Sequence, residues 1–337
     1  MQTSNAPQRS RLDVQGPIVD LMPGSFHHAV PLDASIHVAG HRGLVGSAVW
    51  RHLKVRGHTH LVGRSSTELD LRDRNAVFDF YAEAKPEYVV MAAAKVGGIL
   101  ANARYPADFL SSNIRIQVNV LDAAHRFGVK RLLFLGSSCI YPRLAPQPIK
   151  EDSLLTGPLE PTNDAYAIAK IAGVLHVQAL RRQHGCSFIS AMPTNLYGPG
   201  DNFDPETSHV LPAMIRKFHD GKVDGRDEVV LWGSGSPRRE FLHVDDLAAA
   251  VVTLLERYDE PEPINIGVGE DLTIRELAQM VSRVVGYEGR IAWDNSKPDG
   301  TPRKLLDVSN ILSLGWQANV DLFSGISRTY KEFLSLD

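Results

Sequence analysis

Gly40-His41-Arg42-Gly43-Leu44-Val45-Gly46 follows the short apolar run Ile36–Ala39 and opens a segment with helical periodicity from Leu44 to Val55. The first glycine permits a tight turn, the second a close approach of a pyrophosphate to the backbone, and the third tight packing of helix on strand. The N–H groups at the helix start then face the phosphates. Three glycines in seven residues more often mark an ordinary loop; the position between a first strand and a first helix turns them into a dinucleotide-binding signature. Gly40, His41, Arg42, Gly43, Leu44, Val45 and Gly46 are therefore candidate cofactor contacts.

Beyond this turn the same alternation continues. Apolar runs at His60–Val62, Tyr88–Ala92, Leu132–Leu135, Phe188–Met192 and Ile264–Ile266 read as strands buried on both faces. Segments Asn75–Ala84, Ala107–Phe127, Asp164–His184, Asp245–Arg257 and Ile274–Val285 read as helices. The fold class is α/β: a Rossmann-type doubly wound parallel sheet with a smaller C-terminal substrate lobe. From Pro193 to Arg239, glycine and proline crowd around one amphipathic segment, His209–His219, so the chain leaves the sheet there and again near Gly267. This gives a cofactor-binding domain over 35–192 plus 242–266 and a lobe over 193–241 plus 267–337. Residues 1–34, without an apolar h-region and dotted with proline and glycine, read as a flexible tail.

The chain has 337 residues, 36 Lys and Arg against 39 Asp and Glu, and a net charge of −3 without long single-sign blocks. Nucleic acid and anionic membrane are therefore poor partners, and no apolar run reaches the roughly 18 residues of a membrane span. Two cysteines, Cys139 and Cys186, cannot build a disulfide framework and fit a reducing cytoplasmic location. No metal site is expected.

After the second strand comes Gly63-Arg64-Ser65-Ser66, with no acid before Glu68. A carboxylate there would favour NAD through the ribose 2′-hydroxyl; Arg64 and Arg42 instead suit the 2′-phosphate of NADP. Asp70 is either an adenine contact or a helix cap.

Tyr166 and Lys170 stand four apart on one helix face, where a cation favours the phenolate and brings the phenol nearer to neutral pH. Ser137, just past the fourth strand, lies where open α/β sheets bind ligands. It can hydrogen-bond a substrate carbonyl while Tyr166 protonates it. Each feature alone is commonplace; together, in this order at one sheet edge, they point to carbonyl reduction.

These residues, with Ala92–Ile99, Gly136–Pro142, Glu160-Pro161-Thr162-Asn163, Met192–Pro199, Arg239–Asp246 and Lys297–Lys304, make the chain similar to the extended short-chain dehydrogenase/reductase family over Ile36–Leu334. The long motifs resemble its bifunctional nucleotide-sugar epimerase/reductases. That resemblance implies NADPH as cofactor, a GDP-sugar with a 4-keto group as substrate, and a homodimer. It implies further cofactor contacts at Leu135, Gly136, Ser137, Ser138, Lys170, Pro193, Thr194, Asn195, Leu196 and His209, and substrate contacts at Lys217, Trp232, Arg239 and Asp299. It makes Cys139 the base and His209 the acid of an epimerisation at the carbons flanking the ketone. A thiol beside Lys170 or an oxidised nicotinamide would have a depressed pKa; read alone, Cys139 is more readily a small buried hydrophobe and His209 a helix-end surface residue.

Other members of this fold fit less well. A 4,6-dehydratase needs an acidic pair beside Ser137, where Ser138 and Cys139 stand. A 4-epimerase with resident NAD needs no cysteine and histidine pair and prefers an acid after the second strand. A non-catalytic NADP sensor is free to lose Tyr166 or Lys170, and both are present.

Overall fold

Thirteen strands and ten α-helices organise the computed structural model, which describes residues 27–297 and 299–336. The strands are β1 (Ile36–Ala39), β2 (Leu61–Val62), β3 (Tyr88–Met91), β4 (Arg131–Leu135), β5 (Phe188–Pro193), β6 (Asn195–Tyr197), β7 (Glu228–Trp232), β8 (Arg238–Arg239), β9 (Phe241–His243), β10 (Ile264–Ile266), β11 (Leu272–Thr273), β12 (Arg290–Asp294) and β13 (Arg303–Lys304). The helices are α1 (Leu44–Val55), α2 (Arg74–Ala84), α3 (Ile99–Arg104), α4 (Pro106–Arg126), α5 (Asp164–His184), α6 (Val210–Val223), α7 (Val244–Arg257), α8 (Ile274–Val285), α9 (Ser309–Ser313) and α10 (Leu322–Phe333).

Six strands form one parallel sheet in the order β2-β1-β3-β4-β5-β10. Every residue of β1, β3, β4, β5 and β10 is buried, as a sheet covered on both faces requires. From β1 the chain first adds β2 on one side and then β3 on the other, so the strand order reverses at β1. The crevice beyond the carboxyl ends of β1 and β3 is the topological switch point where such sheets bind ligands. Each of the six strands and six helices expected from sequence is present with its ends within one residue.

A second core, built around Leu211, Ile215, Phe218, Leu277, Val281 and Ile326, joins α6, α8 and α10 to the β7–β12 pair. α8 starts in a capping box in which Thr273 and Glu276 satisfy one another's orphan groups. The small sheet β11-β8-β13 carries Arg239 and Lys304 in register.

Three expectations are corrected. The tail placed over 1–34 is too long: His28 N–H donates to Glu256 O at 2.8 Å, its ring bonds the Tyr88 hydroxyl at 2.7 Å, and Val30 and Ala34 lie in the main core. Residues 1–26 lie outside the described residues. The stretch 267–337 is not wholly lobe, since Leu306, Val308, Ile311 and Trp316 pack into the sheet's core. The cap reading of Asp70 is the third: Asp73 caps α2 through the N–H groups of Asn75 and Ala76, while Asp70 pairs with Arg72.

Candidate active site

Gly40, with φ +84°, turns the chain at the switch point, where a Cβ would stand 2.9 Å from the Ala93 backbone. A Cβ on Gly46 would stand 2.1 Å from the Gly40 carbonyl oxygen. Helix α1 has no side-chain cap and no acid in its first turn, so its opening N–H groups and positive dipole end are left for an anion. The His41 ring occupies the space a side chain on Gly63 would fill, 2.6 Å from that Cβ position, and its Nδ1 is buried without a partner. Leu44 and Val45 pack against the main core. Because the Gly46 clash is with backbone, Gly46→Ala is expected to cost about 1–3 kcal/mol of stability and to abolish tight dinucleotide binding. A thermal melt and a cofactor titration measure the two losses.

Arg42 and Arg64 are both exposed at this end, and the Arg64 guanidinium lies 5.6 Å from the Phe80 ring centroid. Glu68 is committed elsewhere, accepting from Ser65 N–H at 2.7 Å and Ser65 Oγ at 2.6 Å. Those hydrogen bonds, with the charges of Arg42 and Arg64, hold its carboxyl below the usual range. Two exposed cations and an occupied acid fit a 2′-phosphate better than a bare ribose.

The catalytic candidates converge where β4 ends. Ser137 caps the short 3₁₀ turn Ser138–Ile140 through Cys139 N–H, and its hydroxyl acts on the Tyr166 phenol. Met192 fills the space over Gly136, where a Cβ would meet its Cε at 2.4 Å. Lys170 is buried, donates to Leu135 O at 2.8 Å, and stands 5.9 Å from the Tyr166 ring centroid. Burial brings its pKa down to about 8. The expected lowering of Tyr166 is reversed: burial pushes the phenol well above its ordinary value, Cys139 adds to that, and the Ser137 hydrogen bond opposes it. Tyr166 is thus held as a neutral acid.

The cation at Cys139 is not Lys170, whose ammonium is turned toward Leu135, but Lys304 of β13. Its Nζ lies 3.6 Å from Sγ, and Asn163 Nδ2 donates to the same sulfur at 3.3 Å. Burial alone would raise the thiol; the Lys304 charge and hydrogen bonds to Ser137, Lys304 and Asn163 outweigh it and bring it below the usual range. Arg239, the register partner of Lys304, is within electrostatic reach of Cys139, Glu160 and Asp299.

His209 caps α6 by its backbone, with no side-chain cap bond. Solvent reaches it, yet the surrounding protein lowers its imidazole pKa by stripping hydration. The turn at Gly98 backs it: Gly98 N–H donates to Thr207 O, and a Cβ on Gly98 would sit 2.6 Å from Ser208 O. On the lobe, Trp232 is exposed with the Lys217 and Lys297 ammonium groups 5.2 and 5.6 Å from its ring centroid. Asp299 accepts from Ser234 N–H and Oγ at 2.7 and 2.8 Å. Pro193 ends β5 opposite Ile266, and Leu196 lies on β6. Thr194 Oγ1 and Asn195 Nδ2 donate to Glu240 O. Lys304, Asn163 and Lys297 were passed over as chemistry although they stand in the motifs Glu160–Asn163 and Lys297–Lys304; the signal was residue type, a lysine or amide inside a motif shared with a cysteine-bearing site. Among the described residues no group of three or more His, Cys, Asp or Glu is arranged to hold a metal ion, and no helix is long and apolar enough to cross a membrane.

A glycine-turn dinucleotide site beside a serine, tyrosine and lysine at one sheet edge defines a nicotinamide-dependent enzyme acting on a carbonyl. The chain belongs to the NAD dependent epimerase/dehydratase family, which matches residues 36–267. It is similar to GDP-L-fucose synthase 1 of Arabidopsis thaliana, 61% identical over 301 residues, covering 89% of this chain and 93% of that protein. It is 54% identical over 308 residues to GDP-L-fucose synthase of Escherichia coli strain K12, covering 89% and 96%. Among solved structures, a GDP-L-fucose synthetase from Naegleria fowleri bound to NADP superposes with a TM-score of 0.84 at 31% identity, covering 92% of this chain and 97% of that one.

Proposed function

We propose that this chain converts GDP-4-keto-6-deoxy-D-mannose to GDP-L-fucose by epimerisation at C3 and C5 followed by NADPH-dependent reduction at C4. The observation that carries the reading is the thiol of Cys139, bonded by Lys304 and Asn163, one turn from the serine and tyrosine of a reductase site. A reductase needs no such thiol. An epimerase at carbons next to a ketone needs a base, and a thiol activated in this way supplies one.

Tyr166 and Ser137 donate hydrogen bonds to the C4 oxygen, stabilising the enolate charge that forms when a proton leaves C3 or C5. Cys139 in its thiolate form removes that proton, and His209, on the lobe side, returns one to the opposite face. Both carbons flank the same carbonyl, so one oxyanion site serves two inversions. NADPH, when bound, supplies the hydride to C4. Tyr166 gives its proton to the C4 oxygen at that step, with Lys170 beneath it favouring the phenolate left behind. Residues 40–46, Arg42 and Arg64 would hold the cofactor; Arg239 and Lys217 face the diphosphate, and Trp232 offers a stacking surface. Asp299 lines the same side.

Product analysis tests the reading: GDP-L-fucose is expected, whereas an unepimerised GDP-6-deoxy-D-hexose would reduce the chain to a plain reductase. Removing both arginines, as Arg42→Ser with Arg64→Ser, is expected to weaken NADPH by roughly tenfold or more relative to NADH, since charge-assisted bonds to the 2′-phosphate are lost. Competition kinetics with the two cofactors measure it. We also propose a cytoplasmic homodimer; both cysteines are free thiols, and α5 exposes Ile168 and Leu175 on one stripe. Sedimentation reads the oligomeric state.

A further inference from the structure

The buried carboxylate of Glu160 is bonded to the segments that carry two of the groups at the Cys139 thiol, Asn163 and Lys304. Its Oε1 accepts from Thr162 Oγ1 at 3.2 Å and Thr162 N–H at 3.4 Å, and Thr162 precedes Asn163. Its Oε2 accepts from Thr301 Oγ1 at 3.3 Å and pairs with Arg143 Nε at 3.2 Å. Thr301 begins the segment that delivers Lys304. The other end of that segment is fixed separately: Leu306 N–H donates to Glu240 Oε2 at 3.2 Å, Leu305 N–H to Gln147 Oε1 at 2.9 Å, and Leu305 O accepts from Ile149 N–H at 2.8 Å.

Resting on the epimerase/reductase reading above, we propose that Glu160 is a positioning residue for the epimerising thiol: it sets Asn163 and Lys304 at Sγ and so governs how readily Cys139 ionises. Ser137, Tyr166 and Lys170 do not contact it through any of these bonds, so Glu160 acts on the thiol first and reaches the C4 step only indirectly, through Cys139 and Arg239. The charged and titratable groups facing the thiol are Lys304 of β13, Arg239 of β8 and Tyr166 of α5. The sign of the effect separates positioning from simple charge. As a nearby anion, Glu160 disfavours the thiolate, so neutralising it by field alone would lower the Cys139 pKa. Loss of the wiring loosens Lys304 and Asn163 and raises it.

The test uses full-length chain in a Cys186→Ala background, so that one thiol reports. The rate of alkylation by iodoacetamide is followed against pH without cofactor, alongside deuterium exchange at C3 and C5 of the keto sugar and oxidation of GDP-L-fucose by NADP, which needs only the C4 step. Glu160→Gln is expected to raise the alkylation midpoint by about one pH unit and to slow exchange about tenfold near neutrality, with GDP-L-fucose oxidation changed by much less. Thr301→Val, which cuts the wire but keeps the carboxylate, should move the midpoint the same way by less, and it serves if Glu160→Gln fails to fold. A midpoint that stays in place or falls in the folded variants overturns the proposal. Absence of exchange in the unsubstituted chain, with the midpoint still shifting in Glu160→Gln, overturns the epimerase reading and leaves the wiring standing.

Discussion

Replacing Tyr166 by phenylalanine is expected to lower NADPH oxidation with the keto sugar by roughly 10²–10⁴-fold, the range that a positioned general acid contributes. Burial holds the phenol as a neutral acid, and Lys170, brought down to about 8, stands beneath its ring. The aromatic body that meets Phe109 edge-on, with centroids 6.5 Å apart, is retained in the variant. The melting temperature should therefore hold while stopped-flow absorbance shows the loss. A variant that reduces at the original rate would mean that the proton reaches the C4 oxygen by another route.

Cys139→Ala is expected to remove deuterium incorporation at C3 and C5, again by about 10²–10⁴-fold, while leaving the C4 step measurable as GDP-L-fucose oxidation by NADP. The pH profile carries the sign. The thiol acts as base only when ionised, so exchange in the parent chain has a rising limb that lies below the ordinary thiol range. Lys304→Met removes the largest of the contributions that oppose burial, and its rising limb should move upward. Full exchange in Cys139→Ala would leave the thiol as a packing residue and transfer the base to another group.

What the chain discloses before folding is what depends on neighbours in sequence. The glycine turn, the 3.6-residue pattern of α5 with Tyr166 and Lys170 one turn apart, and the apolar runs of β1, β3 and β4 are local, and each was legible. The cation at Cys139 was not, because Lys304 arrives from 165 residues away on the two-residue strand β13, too short to show any period. Glu160 and Glu240 escaped for the same reason: their partners Thr301, Leu306, Val268 and Gly269 meet only in the folded chain. The direction of the Tyr166 shift was misread because sequence shows the neighbouring lysine but not the burial that dominates both groups. His28 to Ala34 looked like tail because one pass beneath the end of α7 and beside Tyr88 has no repeating pattern to betray it.

One incubation tests the central claim most directly: the full chain with GDP-4-keto-6-deoxy-D-mannose and NADPH in deuterated water, followed by NMR of the sugar. The account predicts GDP-L-fucose carrying deuterium at C3 and C5, with one NADPH oxidised for each sugar reduced. A keto sugar recovered without deuterium and with NADPH unspent would contradict it.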